Sequence, residues 1–248
     1  MPKKRVLVSM AFKKIIVHIG LPKTGTTSFQ HFLARNAENL IQAGFVPFQE
    51  DSEKYTKAKA VHLPHAILRA NVIADVDKAA AMVRVSERMN WYADHSPGKT
   101  LIISSEPLAF ARTCTETEAL SQVLREYTDD IELVLVLRDK KDWWESYCEN
   151  TRKNVQPDDQ ILPESQYNIE SNSWLLDWQS MLDAYGAFFD PPTVLRYDSN
   201  DMLQSLSEVM GLPYAVLERI EKRYSQRKSI KMSKLESVVS FLSRARGW

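Results

Sequence analysis

The chain has 248 residues and a mass of 28.5 kDa, with 44% hydrophobic and 26% charged residues. This composition is typical of a soluble globular chain and excludes disorder as its main state. Thirty-two basic residues balance thirty-two acidic ones, so no overall charge attracts nucleic acid or an anionic membrane. An anionic partner must therefore be bound at a local site.

Short apolar segments rich in β-branched residues alternate with longer segments of helical periodicity. The predicted strands cover residues 14–19, 100–104, 131–137 and 193–197. The predicted helices cover residues 26–41, 76–91, 117–127, 141–154, 172–188, 201–210 and 233–244. This alternation predicts an α/β fold, with helices on both faces of a central parallel sheet in three α/β/α layers. We expect one domain over residues 1–248, in which residues 1–12 form an extension or a first strand.

Cysteine content and hydropathy favour a cytoplasmic protein. The two cysteines, Cys114 and Cys148, are too few for a disulfide framework and lack the spacing of a zinc or redox motif. Eighteen consecutive apolar residues occur nowhere, so we expect no transmembrane helix. The amino-terminal segment lacks the features of an export signal.

The most informative segment is IIVHIGLPKTGTTSFQHFL, residues 15–33. An apolar strand runs into Gly20, a tight turn follows through Pro22 and Gly25, and a helix then begins. Such a turn directs free backbone N–H groups and the positive end of the helix dipole at one point. The segment therefore predicts a binding site for phosphate or sulfate oxygens.

The loop differs from the nucleotide-triphosphate motif GxxxxGK[ST]. Thr26 stands where that motif has its lysine, and the lysine of this loop comes earlier, at Lys23. This difference disfavours a triphosphate kinase. LPKTGTTS instead resembles the 5′-phosphosulfate loop of sulfotransferases that use 3′-phosphoadenosine 5′-phosphosulfate (PAPS). The resemblance implies a fold of the P-loop nucleotide-binding type and assigns donor binding to Lys23, Thr24, Gly25, Thr26, Thr27 and Ser28.

A second segment resembles the 3′-phosphate motif of the same family. The strand at 131–137 ends at Arg138, and Ser146 follows eight residues later in the next helix. A guanidinium and a hydroxyl at the carboxyl edge of a sheet can bind one phosphate together. Lys140 occupies a position where the family often has proline, so the turn into the helix differs.

The carboxyl-terminal residues 219–248 form a basic segment, with nine basic residues and two acidic ones. Its pair Arg227 and Lys228 resembles the late Arg-Lys-Gly segment of the family, which closes over the 3′-phosphate, although Ser229 replaces the glycine. The resemblance adds this pair to the donor-binding residues. A solvated helix face is the alternative interpretation of the same charges.

Two residues are candidates for catalysis. Lys23, with the loop amides and the hydroxyls of Thr26 and Thr27, is placed to neutralise the charge that grows on the leaving phosphate. Glu106 follows a predicted strand and resembles the strand-end glutamate that acts as base in carbohydrate sulfotransferases. The histidines are weaker candidates: His18 lies within a strand as a core residue, and His62 and His65 flank Pro64, which we expect to prevent the helix that a metal site would need.

We therefore predict an enzyme that transfers the sulfuryl group of PAPS to a hydroxyl or amino group, releasing 3′,5′-ADP without a metal. The acceptor is a small molecule or a carbohydrate, and we expect neither nucleic acid nor membrane as a partner. Two alternatives remain: a P-loop small-molecule kinase with a degenerate loop, and a nucleotide-binding module without turnover. No sequence motif identifies the acceptor pocket, the residue that stacks on adenine, or the oligomeric state.

Overall fold

The computed structural model describes residues 10–50, 57–69, 72, 77–153, 163, 165–198 and 200–217. Its strands are β1 (Lys14–Gly20), β2 (Phe45–Pro47), β3 (Thr100–Ser105), β4 (Ile131–Leu137) and β5 (Thr193–Arg196). Its α-helices are α1 (Thr26–Arg35), α2 (Ala37–Gln42), α3 (His62–Ile67), α4 (Lys78–His95), α5 (Cys114–Arg125), α6 (Lys140–Arg152), α7 (Trp178–Gly186) and α8 (Met202–Val209). The helix predicted at 233–244 and the basic pair Arg227 and Lys228 lie outside the described residues.

The five strands form one sheet in the order β2-β3-β1-β4-β5, and all neighbouring strands are parallel. In the register of the central strand, His18 lies opposite Ser104 of β3 on one side and Val134 of β4 on the other. The parallel sheet predicted from the apolar segments is therefore confirmed. Because the strands are parallel, all their carboxyl ends meet at one edge of the sheet.

Side chains of β1 alternate between two apolar layers, because successive residues of a strand point to opposite faces. Ile15, Val17 and Ile19 are fully buried in the main core, together with side chains from α4, α5, α6 and α7. On the other face, the ring of His18 contacts Phe29 of α1, with ring centroids 5.0 Å apart. Helices thus cover both faces, which confirms the three-layer α/β/α architecture.

Three parts of the prediction for residues 26–67 differ from the structure. The short edge strand β2 was not predicted, and the helix predicted at 26–41 is divided into α1 and α2. The division falls at Asn36, whose side-chain amide donates to the carbonyl of Phe32, 3.0 Å away. Such a local bond competes with the helical pattern and allows the chain to turn. The third difference is α3.

The expectation that Pro64 prevents a helix between His62 and His65 was wrong. Pro64 is the third residue of α3, and the first-turn residues of a helix have no intrahelical partner for their N–H groups, so proline removes no bond there. Glu50 caps this end, because its carboxylate accepts hydrogen bonds from the backbone N–H groups of Val61, His62 and Leu63.

None of the described helices is long and apolar enough to cross a membrane.

Candidate functional site

The strand register brings the predicted site segments to one edge of the sheet. Gly20, the last residue of β1, pairs with Val136 of β4, two residues before Arg138. On the other side, Ile19 pairs with Ser105, the last residue of β3, which Glu106 follows directly. The loop after β1 therefore lies between Arg138 and Glu106.

The loop after β1 is a closed turn with two residues in the left-handed region. Lys23 has φ 70° and Gly25 has φ 82°. The hydroxyl and the backbone N–H of Thr24 both donate to the carbonyl of Leu21, at 2.6 and 3.2 Å. A left-handed backbone is unfavourable for lysine, and a residue held there by its surroundings is common at functional sites.

The first turn of α1 is open to an anion. Its N-cap is Gly25, and no side chain of the described residues caps the helix or places an acid in its first turn. The other α-helices of nine or more residues, α4 to α7, differ in this respect. Their N-cap side chains accept hydrogen bonds from the first turn, and these N-caps are Asp77, Thr113, Asp139 and Asp177. The uncapped N–H groups of α1 and its dipole favour negative charge at this point.

Helix α6 packs over the loop and fixes both its main chain and its lysine. The indole Nε1 of Trp143 donates to the carbonyl of Pro22 at 2.8 Å. Two turns further along the same face of α6, Nζ of Lys23 donates to Oδ1 of Asn150 at 2.6 Å. Ser146 lies between these two residues at helical spacing, so it belongs to the face of α6 that meets the loop.

An aromatic ring connects the loop with the arginine. The ring of Tyr197 lies next to Gly25, since a Cβ added to that glycine would be 3.4 Å from Cε2 of Tyr197. The guanidinium carbon of Arg138 lies 5.5 Å from the centroid of the same ring. The backbone N–H of Tyr197 donates to the carbonyl of Leu137 at 2.7 Å, which holds the residue at this edge. The loop and Arg138, which belong to the two predicted half-sites, therefore both lie near this ring, and the region around the loop, Arg138 and Tyr197 is called the cleft.

Sequence reasoning did not single out Tyr197. The available signal was its position: it is the first residue after β5, and residues that follow parallel strands collect at the ligand-binding edge of such a sheet. Asn150 was also missed, because an asparagine within a helix carries no motif. Both residues become recognisable only through their contacts with the loop.

Glu106 is half-buried on the opposite side of the loop from Arg138. Burial raises the pKa of this carboxyl, and the charges of Lys23, Lys57 and Lys59 oppose that shift. A hydrogen bond from the exposed Thr27 also favours the charged form. Glu106 is thus a half-buried carboxyl group whose pKa is raised by burial, at the same edge of the sheet as the loop.

The hydroxyl-bearing residues of the loop have different surroundings. Thr24 is buried and closes the turn, whereas Ser28 is half-buried at the start of α1. The hydroxyl of Thr26 is buried against Gly20 and has no hydrogen-bond partner among the described residues. A Cβ added to Gly20 would be 1.9 Å from this oxygen. Only glycine therefore fits at position 20, and the Thr26 hydroxyl, which was expected to help neutralise the leaving phosphate, is buried against that glycine instead.

The histidines do not compete with Glu106. His18 is fully buried, its Nδ1 lies 2.9 Å from Oγ of Ser104, and desolvation lowers its pKa to about 3. It is therefore a neutral core residue, as predicted. The rings of His62 and His65 lie 6.3 Å apart on α3. In the described part of the chain, no group of three or more His, Cys, Asp or Glu residues could hold a metal ion.

Solved structures that resemble this chain include two sulfotransferases and a chain of a toxin–antitoxin system. A sulfotransferase from Alicyclobacillus acidocaldarius is 11% identical, with a TM-score of 0.49 over 90% of this chain and 92% of that chain. A sulfotransferase domain from the curacin biosynthetic pathway is 13% identical, with a TM-score of 0.44 over 81% of this chain and 74% of that chain. A chain of the PezAT chromosomal toxin–antitoxin system of Streptococcus pneumoniae is 15% identical, with a TM-score of 0.40 over 90% and 86%.

No protein-family model matches the chain, and no curated protein matches it in sequence. The chain is structurally similar to bacterial sulfotransferase domains and also to a chain from a toxin–antitoxin system. Similarities at these TM-scores and identities support no conclusion about activity. The function proposed below rests on the residues of the cleft.

Proposed function

We propose that this protein is a sulfotransferase that transfers the sulfuryl group of PAPS to a hydroxyl or amino group of an acceptor. One observation carries the proposal: the ring of Tyr197 lies next to Gly25 of the anion-binding loop and within 5.5 Å of the Arg138 guanidinium. A ligand with anionic groups at both ends and a planar base fits such a cleft. PAPS has this composition.

On this proposal the two ends of the donor are bound by different kinds of groups. The uncapped N–H groups of α1 and the loop bind the 5′-phosphosulfate, with Lys23 beside it. Arg138 and Ser146 bind the 3′-phosphate from the end of β4 and from α6. Tyr197 offers an aromatic face to the nucleoside between them. Arg227 and Lys228, outside the described residues, remain a proposed addition to the 3′-phosphate site.

The chemistry is an in-line displacement at sulfur. The bond between sulfur and the bridging phosphate oxygen breaks, and a bond forms between sulfur and the acceptor oxygen or nitrogen. Lys23 and the loop N–H groups stabilise the charge that develops on the released phosphate. Glu106 accepts the proton of the acceptor, and burial keeps its basicity above that of an ordinary glutamate. The released nucleotide is 3′,5′-ADP.

A small-molecule kinase on the same fold is the second candidate. A P-loop kinase needs a lysine after the second glycine to reach the terminal phosphates, and this chain has the buried Thr26 there. The lysine of this loop, Lys23, is instead held within the turn by Asn150. A third candidate, a nucleotide-binding module without turnover, shares the cleft but needs no function for Glu106.

The test is transfer of radiolabelled sulfur from PAPS to a panel of hydroxyl and amino acceptors. The proposal predicts a labelled product and, in parallel, formation of 3′,5′-ADP. Transfer of phosphate from ATP with Mg²⁺, and no use of PAPS, would identify the kinase instead. Tight binding of PAPS without a product from any acceptor would identify the binding module.

A further inference from the structure

Residues 57–60, Lys-Ala-Lys-Ala, form a short strip beside the proposed base. The backbone N–H of Ala58 donates to the carbonyl of Gln30 in α1, and that of Ala60 donates to the carbonyl of Ser104 in β3, each at 3.0 Å. Ala58 and Ala60 are buried, at 1% and 3% exposure. Lys57 is half-buried and Lys59 is exposed. The two alanines therefore anchor the strip, and the lysines that alternate with them, Lys57 and Lys59, are left to face outward.

Along the carboxyl edge of the sheet, from β4 through β1 to β3, the strip comes after Glu106. Arg138 follows β4, the anion-binding loop follows β1, and Glu106 follows β3. The strip then bonds to Ser104 on the outer side of β3, and the Ser105 hydroxyl donates to the carbonyl of Ala60 at 3.3 Å. The strip is thus separated from Arg138 by the loop and by the base.

Because of this order, the two lysines lie on the acceptor side of Glu106 and not on the side of the donor nucleotide. On the proposed function, the donor spans the distance between Arg138 and the loop, and the reacting atom lies between the loop and Glu106. Molecular groups that lie on the far side of Glu106 therefore belong to the acceptor. The strip bonds to Ser104 and Ser105, the two residues directly before Glu106, so both lysines border the proposed reaction site. Their charges also act on Glu106.

We infer that the acceptor of this enzyme carries an anionic group, a carboxylate, sulfate or phosphate, that Lys57 and Lys59 bind beside its reacting hydroxyl or amine. The inference rests on the proposed sulfotransferase function. Two ammonium groups on an anchored strip recognise a negative charge that a neutral acceptor lacks. Their charge also raises the local concentration of an anionic acceptor in a chain without net charge.

The experiment compares matched acceptors that differ in one charge. Labelled PAPS is supplied with methyl glucoside or methyl glucosiduronate, and with phenol or 4-hydroxybenzoate, and kcat/KM is measured for each. We expect the anionic member of the productive pair to be preferred by on the order of 10-fold or more. The variant Lys57→Ala/Lys59→Ala removes the preference, and its affinity for 3′,5′-ADP stays that of the parent.

Two control variants separate charge recognition from folding. Lys57→Arg/Lys59→Arg keeps both charges and is expected to retain the preference. Lys13→Ala/Lys99→Ala removes two lysines next to the amino ends of β1 and β3, at the opposite edge of the sheet, and is also expected to retain it. Increasing ionic strength reduces the preference of the parent, because salt screens partly exposed charges.

The outcomes distinguish this inference from the proposed function. Transfer to neutral and anionic members at equal rates contradicts the inference alone, and so does a preference that survives in the Lys57→Ala/Lys59→Ala variant. A loss of 3′,5′-ADP affinity in that variant also contradicts it, since the lysines would then serve the donor. A parent that transfers label to no acceptor of either charge contradicts the sulfotransferase function and the inference together.

Discussion

The two halves of the functional edge are built in different ways. Above β1 and β4, the main chain forms the centre of the cleft, as a closed turn and the uncapped start of α1, and side chains such as Arg138 and Tyr197 surround it. Above β3, it consists of side chains from distant parts of the sequence, with Glu106 beside Lys57 and Lys59. A main-chain site requires a particular local sequence, whereas a side-chain site requires only that separate segments meet.

This difference indicates that the two halves bind different ligands. The main-chain half suits a ligand that never changes, which on our proposal is the nucleotide donor. The side-chain half can change by single substitutions without disturbing the turn, which suits an acceptor. If this is correct, mutations can separate the two halves.

The largest effect is expected for Lys23→Ala, which removes the cation beside the leaving group. We expect kcat to fall by about 10²- to 10³-fold, because a preorganised donor to developing charge is lost. Affinity for 3′,5′-ADP is expected to change less, since the product lacks the sulfuryl group. Rapid-quench measurement with labelled PAPS gives the rate, and Lys13→Ala is the matched control. An undiminished rate would remove Lys23 from the mechanism.

Glu106→Gln tests the side-chain half. We expect transfer to fall by about 10²-fold or more, because the amide cannot accept the proton of the acceptor, while 3′,5′-ADP affinity is retained. Glu38→Gln, an exposed change on α2, is the control. A variant as active as the parent would contradict the assignment of Glu106 as base.

The pH dependence of the parent follows from the same residue. Burial raises the pKa of Glu106, and the base acts only when deprotonated, so activity is lost as pH falls through this raised pKa. The acid limb of kcat/KM is therefore expected above the range of an ordinary glutamate. The effect of pH on the free energy of unfolding has the opposite sign. An acid whose pKa is raised in the folded state destabilises the fold as pH rises through that pKa. The variant Glu106→Gln should therefore be at least as stable as the parent at neutral pH.

Gly20→Ala tests the main-chain half without touching a charged group. Its Cβ would be 1.9 Å from Oγ1 and 3.0 Å from Cβ of Thr26, so the start of α1 must shift. A displacement of this kind is expected to weaken 3′,5′-ADP binding on the order of 100-fold. Gly186→Ala, where nothing lies within 4 Å of the new atom, should bind like the parent. Calorimetry measures the affinity of both variants for 3′,5′-ADP. An affinity of Gly20→Ala equal to that of the parent would contradict the role of the turn in donor binding.

The smallest effect is expected for Tyr197. Tyr197→Ala removes the aromatic face between Gly25 and Arg138 and should weaken 3′,5′-ADP binding by about 10-fold, the lower end of the range for base stacking on an aromatic side chain. Tyr197→Phe keeps the ring and should bind within about twofold of the parent. Equal weakening in both variants would mean that the hydroxyl, and not the stacking face, matters.

The sequence analysis succeeded for features with a local physical signature. Buried parallel strands are continuous apolar segments, so the four longer strands and the layer arrangement were predicted correctly. The turn at Gly20 and Gly25 was recognisable because only certain residues fit it. The short strand β2 has three residues and too little periodicity to be recognised. Helix α3 was missed because the penalty of proline depends on its position within the helix.

The contacts between distant segments, in both halves of the cleft, could not be predicted from the sequence. Nothing in the sequence states that residues 57–60 bond to Ser104 in β3, that Asn150 binds Lys23, or that Tyr197 reaches Gly25. These contacts arise from the strand order, which separates neighbours in the sequence and joins distant segments.

The most direct test of the central claim is calorimetry of the purified protein with 3′,5′-ADP in the presence of a chelator, compared with ATP and Mg²⁺. The account predicts tight binding of 3′,5′-ADP without metal, weakened by Arg138→Ala and by Tyr197→Ala, and much weaker binding of ATP. Binding of ATP with Mg²⁺ and no binding of 3′,5′-ADP would contradict it.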